Sequence, residues 1–319
     1  MTRQGWQTGL VLVAATALAA ALPLALGTYS LGVALDLMMW IALAESWAMF
    51  SGLSGYVSLG HAVFYGVGAY VTVLLWQVLP LWFSVPLGGL TAAALALLLG
   101  WPCLRVRGPY FVILTLGISE FIKYAVISTE AALGRNGRLL IGTPSLTVLF
   151  EAMLALAVLS MAVLQIVRSA RLGAGLLAIR EDEVAAEAVG INATAVKLSA
   201  FAMSAFIPGM VGGLMILRST YFEPMQAFSP TTSFTIVTVA ILGGSDTVAG
   251  PLLGSLFLVL LSELLWTRAP EVYMIILGVL LVAFVLFVPE GLVGRAGRFL
   301  RAPKPGPSSR DHRAVVIEP

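Results

Sequence analysis

The sequence predicts an all-α integral membrane protein of about eight to ten transmembrane helices, and three observations carry that prediction. Of 319 residues, 59% are hydrophobic and only 11% are charged, against about 25% charged in soluble domains. The apolar residues fall in long runs separated by glycine, proline or charge. Hydrocarbon offers no partner for unpaired backbone groups, so runs of this length are helices rather than open strands.

Taken in order, the first run, Thr8 to Leu26, is long enough to cross a bilayer. With Arg3 ahead of it and Ala-x-Ala at 17–19 it also has the outline of a signal peptide; we favour an uncleaved first span. Further runs follow at 31–50, 57–79, 83–103, 109–128, 146–167, 194–217, 228–242, 251–266 and 272–288. Two are marginal. Glycines interrupt 57–79, and 228–242 reaches only about 22 Å across a core of about 30 Å. Residues 1–295 therefore read as one transmembrane domain with a loop at 168–197, and 296–319 as a basic, Pro-rich, disordered tail whose cations can touch anionic lipid.

The net charge of +2 is too small to suggest a nucleic-acid partner. A single cysteine, Cys103, excludes an internal disulfide and a Cys-based metal cluster, and no metal-ligand group is predicted.

Arg and Lys set orientation. Arg105 and Arg107 follow the fourth run, Arg168, Arg171, Arg180 and Lys197 surround the 168–197 loop, and six more cations follow the last run. In a ten-span chain all three clusters share a side with Arg3, which predicts cytoplasmic termini in a multi-pass inner-membrane protein. Arg135, Arg138, Arg218 and Arg268 fall on the other side.

Two breaks look alike. SGLSGYVSLGH (51–61) and LGGSDTVAGPLLG (242–254) each interrupt an apolar run with Gly and Ser and then resume with spaced glycines. Broken helices in corresponding halves suggest a parallel internal repeat and point toward a pathway. Spaced glycines are also how membrane helices pack closely.

Charge clusters in GAGLLAIREDEVAAEAVGIN (173–192). Asp182 is a good N-cap for a helix through Val189, Glu183 complements its dipole, and Gly190 ends it with Ile191 covering Ala186. Two turns are too short to be stable alone. The segment is either a solvated helical loop or an element held by the rest of the protein or by a partner.

That stretch, continued to NATAVKLSAFAMSAFIPGMVGGLM, resembles the cytoplasmic loop and following helix of LivM-type permease subunits of branched-chain amino-acid ABC importers. SGYVSLGHAVFYGVGAY, RGPYFVILTLGISEFI and LGGSDTVAGPLLGSLF are similar to that family's other characteristic segments, in the family's order, over roughly residues 30 to 295. The resemblance implies a permease that hydrolyses nothing itself and needs no cofactor, ATP being used by two separate ATP-binding cassette subunits. It also implies a homologous second permease subunit and a periplasmic solute-binding protein. Substrates in the family are mostly leucine, isoleucine and valine, with relatives for urea, amides and other amino acids. A short permease helix that docks on the ATPase would here comprise Arg180, Glu183, Ala185, Ala186, Glu187 and Gly190, although this segment holds no family-like Glu-Ala-Ala triplet. Ala48 stands where the family often has Asn, and Tyr56 where it often has Gln.

Charge at membrane depth is costly and marks functional suspects. Glu45, Gly55, Ser58, Gly60, His61, Glu120, Gly243, Gly244 and Gly250 are the candidate pathway and broken-helix residues. Glu120 and Lys123 are spaced to pair on one helix face. Glu45 has no evident partner, Asp36 and Glu263 lie near outer helix ends, and His61 reads as a helix-packing hydrogen bonder. In the outer loop 130–145, Arg135 and Arg138 are candidates for docking the binding protein. The chain has no G-x-x-x-x-G-K-[ST] loop, so an ion-gradient-driven secondary transporter or channel is the alternative.

Overall fold

The computed structural model describes residue 23, residues 26–135, 137–219, 221–245 and 247–266, and positions 275, 276, 278, 279 and 282. Almost all of the first expected span, most of the last, and the tail lie outside these residues. Helix α1 (Thr28–Trp47) runs without interruption into a π-helical turn, Ala48–Gly52. Then come α2 (His61–Leu75), α3 (Leu81–Cys103), α4 (Pro109–Ala132), β1 (Arg138–Leu139) and α5 (Leu146–Ser169). The second half holds α6 (Arg171–Glu181), α7 (Glu183–Ala188), α8 (Ala193–Ile216), β2 (Tyr221–Phe222), α9 (Pro224–Ala227), α10 (Pro230–Gly243) and α11 (Ala249–Trp266).

Among the described residues, six helical segments are long and apolar enough to cross a membrane, and α2 and α11 are shorter apolar helices. Run by run they match the sequence expectation between 31 and 266. Local chemistry sets their ends: Pro109 opens α4 behind Gly108, Ser145 accepts from the Val148 amide to cap α5, and Asn192 accepts from Ala195 to cap α8.

The connections sort to two faces. On one, the π-turn and the segment after it meet the α3–α4 turn, α6, α7, the start of α8 and the α10–α11 turn: Arg180 donates to the Gly52 carbonyl, Lys197 to that of Leu104, and Ser245 lies against Gly52. On the other, Tyr29 bonds Glu263, Arg218 pairs with Asp36, Trp76 donates to the Ile141 carbonyl, and β1 pairs antiparallel with β2. Asp36 and Glu263 thus both hold partners on this second face.

Between the faces, lipid supplies no hydrophobic drive for helix association, so close backbone packing has to do it. Helices α2, α3 and α8 meet at Gly68, Gly88 and Gly209. A β-carbon on Gly88 would stand 2.8 Å from the Gly68 carbonyl oxygen, one on Gly209 2.8 Å from that of Gly88, and one on Gly68 would overlap the Gly209 backbone. Gly243, Gly250 and Gly254 bring α10 and α11 together in the same way. The buried core lies on either side of this junction. One part joins α1, α5, α8 and α10 around Trp47, Phe150 and Met153; the other gathers Phe50, Phe64, Phe111 and Phe201.

Candidate functional site

The charged segment folds into two helices. The first, α6, was not anticipated from sequence. It is held by its apolar side, Leu176 and Ile179, while Arg180 projects from its last turn. The second, α7, is the expected capped unit. Asp182 accepts from the amides of Val184 (2.8 Å) and Ala185 (3.1 Å). At its far end Ile191 donates to the Ala186 carbonyl and Gly190 to that of Glu187, with Gly190 at φ +91°. That pair of bonds is a Schellman closure, which a left-handed glycine makes without a Cβ clash. Ile179, Ala186 and Ala193 form a small core beneath it, with Ile191 against them.

The helix presents two unlike faces. Ala186 is buried and Glu183 is turned inward, its side chain 11% exposed. Val184 and Val189 are 64% and 79% exposed, and Ala185, Glu187 and Gly190 are exposed with them.

Glu183 is the centre of a polar knot. Its Oε1 accepts from Lys197 Nζ at 2.7 Å and lies 3.3 Å from Arg107 Nη2; its Oε2 accepts from the Tyr56 hydroxyl at 2.5 Å. Lys197, nearly fully buried, also donates to Tyr56 Oη (3.2 Å) and to the Leu104 carbonyl (3.3 Å), and its ammonium sits 4.6 Å from the Tyr56 ring centroid. Burial pushes the Glu183 carboxyl up. The hydrogen bonds from Lys197 and Tyr56 and the charges of Lys197 and Arg107 outweigh it and hold the group below the usual carboxylate range. Burial, then the bond to Glu183, raises the Tyr56 phenol, which stays a donor.

Tyr56 belongs to the first break, so the knot ties α7 to that break. Arg180 reinforces the tie: Nη1 donates to the Gly52 carbonyl at 3.0 Å, and its stem packs on Gly55, which has φ +75°. A β-carbon on Gly52 would stand 2.8 Å from the Ser245 carbonyl oxygen, so the two breaks touch. Within the first break, Ser58 is buried; its carbonyl accepts from the Trp47 indole, its amide donates to Ser51 Oγ, and its hydroxyl accepts from the Gly60 amide. The π-turn that begins it is an uncommon element, frequently found at functional sites. In the second break, Gly243, Gly244 and Gly250 are occupied in packing α10 on α11.

The remaining sequence candidates lie apart from the knot. Glu120 pairs with Lys123, as its spacing predicts. Glu45 is fully buried and, among the described residues, neither oxygen has a partner. His61 departs from expectation. Among the described residues neither ring nitrogen has a hydrogen-bond partner, and the ring packs edge-on against Phe64 and Phe201, which offer it aromatic surface and not acceptors. On the face opposite the knot Arg138 is engaged. Its Nη2 and Nε reach the two oxygens of buried Glu130 at 2.7 and 3.2 Å, and Tyr70 donates to the same carboxylate. That bond raises the Arg138 guanidinium further. Arg135 is exposed.

Sequence reading missed Lys197, Arg107 and Tyr56 as partners of Glu183. The cations entered only as orientation signals; Tyr56 had one local signal, its departure from the family pattern.

Comparisons with known proteins bear on this arrangement. The family model described as branched-chain amino acid transport system, permease component, matches residues 29–285. The chain is 32% identical over 318 aligned positions to the high-affinity branched-chain amino acid transport system permease protein LivM of Salmonella typhimurium, covering 89% of this chain and 74% of that one. It is equally similar to LivM of Escherichia coli. A more distant relative is LivH of Salmonella typhimurium, 26% identical over 79% of this chain and 90% of that protein. No solved structure matches.

Proposed function

The chain belongs to the family of permease components of branched-chain amino acid transport systems, and we propose that it is one membrane-spanning subunit of an ABC importer for branched-chain amino acids or a related small polar solute. Its partners are a homologous second permease subunit, two ATP-binding cassette subunits that hydrolyse ATP, and a periplasmic binding protein that delivers the solute. The knot face, with both termini, lies in the cytoplasm of a bacterial inner-membrane protein. The distribution of cations supports that orientation: Arg105, Arg107, Arg168, Arg171, Arg180 and Lys197 lie toward this face, against Arg135, Arg138 and Arg218 toward the other.

The observation that carries the proposal is the two-sided α7. Its outer side offers Val184, Ala185, Glu187 and Val189 to a partner groove, while its inner side is wired through Glu183 to Tyr56. A two-turn helix cannot stand alone; the knot lets it act as a lever. Displacement of α7 by an ATPase moves Glu183, and the charge-assisted bonds carry the motion to the first break and, through Gly52 and Ser245, to the second. Of the two glutamates, Glu187 is the one free to touch the ATPase.

Uptake in proteoliposomes holding the complete transporter tests this. Solute entry should require ATP inside and loaded binding protein outside. Entry that follows an ion gradient without ATP would overturn it.

A further inference from the structure

On the face opposite the knot, the middle of α2, the end of α8, α9 and the start of α10 line an open cavity of about 410 Å³, within the range of small-molecule sites. Its wall carries opposite charges, Arg218 and Glu223. Gln226 and Thr232 supply neutral polar groups, and Met215 and Ile216 an apolar side. Arg218 is held by Asp36, whose Oδ1 lies 2.6 Å from Nη1. A guanidinium has five donors in a planar fork, so one such bond orients the group without exhausting it. Glu223 is exposed and has no ion-pair partner among the described residues.

We propose that this cavity receives a zwitterionic aliphatic α-amino acid, with Arg218 taking the carboxylate, Glu223 the ammonium, and Met215 with Ile216 the side chain. The inference deepens the importer reading and rests on it. Three chemical features of one ligand class meet three kinds of wall. A neutral amide or urea would use neither charge, and an inorganic anion would find Glu223 repelling it. An exposed site of this kind holds its ligand weakly, with a Kd on the order of 1 mM, which suits a station that passes solute onward. Next to the cavity residue Ala227, the buried ring of Phe228 packs on Gly66 and joins α9 to α2.

The test uses the full chain, purified with its co-purifying subunits in lipid nanodiscs and without binding protein, and titrates three probes by saturation-transfer NMR. L-Leucine carries both charges, leucinamide lacks the carboxylate, and 4-methylpentanoate lacks the ammonium. Leucine should bind at least tenfold more tightly than either analogue. Glu223→Gln should weaken leucine about tenfold and leave 4-methylpentanoate unchanged or tighter. The double variant Asp36→Asn/Arg218→Gln, which leaves no unpaired charge behind, should weaken leucine and leave leucinamide unchanged. Leucine binding that is absent at about 50 mM, a concentration that saturates a site of this affinity, or that matches leucinamide, or that ignores Glu223→Gln, overturns the proposal. ATP-dependent uptake by the same wild-type preparation with loaded binding protein is scored separately: its loss would count against the importer reading, and its presence without leucine binding against the cavity alone.

Discussion

Lys197 Nζ lies 2.7 Å from Glu183 Oε1, and both groups are largely withdrawn from solvent. Removing one member of such a pair leaves the other charge buried and uncompensated, at a cost of about 3 kcal/mol. Glu183→Gln should therefore lower the thermal midpoint of the purified protein and, in the assembled transporter, abolish stimulation of ATP hydrolysis by loaded binding protein. Glu183→Leu with Lys197→Met removes both charges and should recover most of the midpoint without recovering coupling. Recovery of both would show that the knot only holds α7 in place.

The same pair predicts a pH dependence. The Glu183 carboxyl is depressed below its ordinary value of 4.5 by its cationic partners. The unfolded chain thus takes up the proton first as pH falls, and stability declines with it. The contribution is fully present above about pH 4.5 and is lost as pH drops through the lower folded value. Thermal midpoints measured from pH 7 downward should fall more steeply for wild type than for Glu183→Gln in that acid window only.

Glu187 and Glu183 should separate cleanly. Glu187 is exposed, and surface changes of this sort cost within about 0.5 kcal/mol. Glu187→Lys should leave the midpoint unchanged and yet impair ATP-driven uptake. Gly190→Pro should do both kinds of damage, since proline cannot reach φ +91° and lacks the amide that bonds the Glu187 carbonyl. Normal uptake by both variants would remove the coupling assignment.

Arg135 and Arg138 should also part. Arg138→Glu places a carboxylate beside Glu130 and Tyr70, so it should reduce stability. Arg135→Glu should leave stability intact and weaken docking of the binding protein, an effect that shrinks as salt is raised past about 0.15 M, where the screening length is about 8 Å. Surface plasmon resonance at two salt concentrations decides it. Unchanged affinity for Arg135→Glu would take this loop out of the docking surface.

Gly209→Val probes the three-helix junction. The side chain would enter the space held by Ala92 and the Gly88 backbone, and overpacking of this kind costs about 1–3 kcal/mol or more. A lower midpoint with a dispersed elution profile is expected; an unchanged midpoint would mean the helices part there easily.

Much of this was legible in the sequence for a physical reason. Hydrocarbon allows a spanning backbone only as a helix or a closed barrel, and continuous apolar runs of this length fit the helix, so run length located the helices between 31 and 266. Capping is equally local: Asp182, Gly190 and Ile191 act within a few residues of one another, and α7 appeared where they placed it. The Glu120–Lys123 pair, one turn apart, was readable on the same ground. His61 was misread, because a hydrogen-bonding side chain says nothing of whether its neighbours are acceptors or ring edges.

The tertiary structure alone decided which way Glu183 points and what it joins. Tyr56 is 127 positions away in the chain and Lys197 is 14, and no periodicity links them. They meet because glycine-to-glycine packing draws α2, α3 and α8 close enough for the turns at their ends to share one patch of surface. Helix formation is dictated by each residue's own neighbours and solvent; the wiring of the site depends on how whole helices stack.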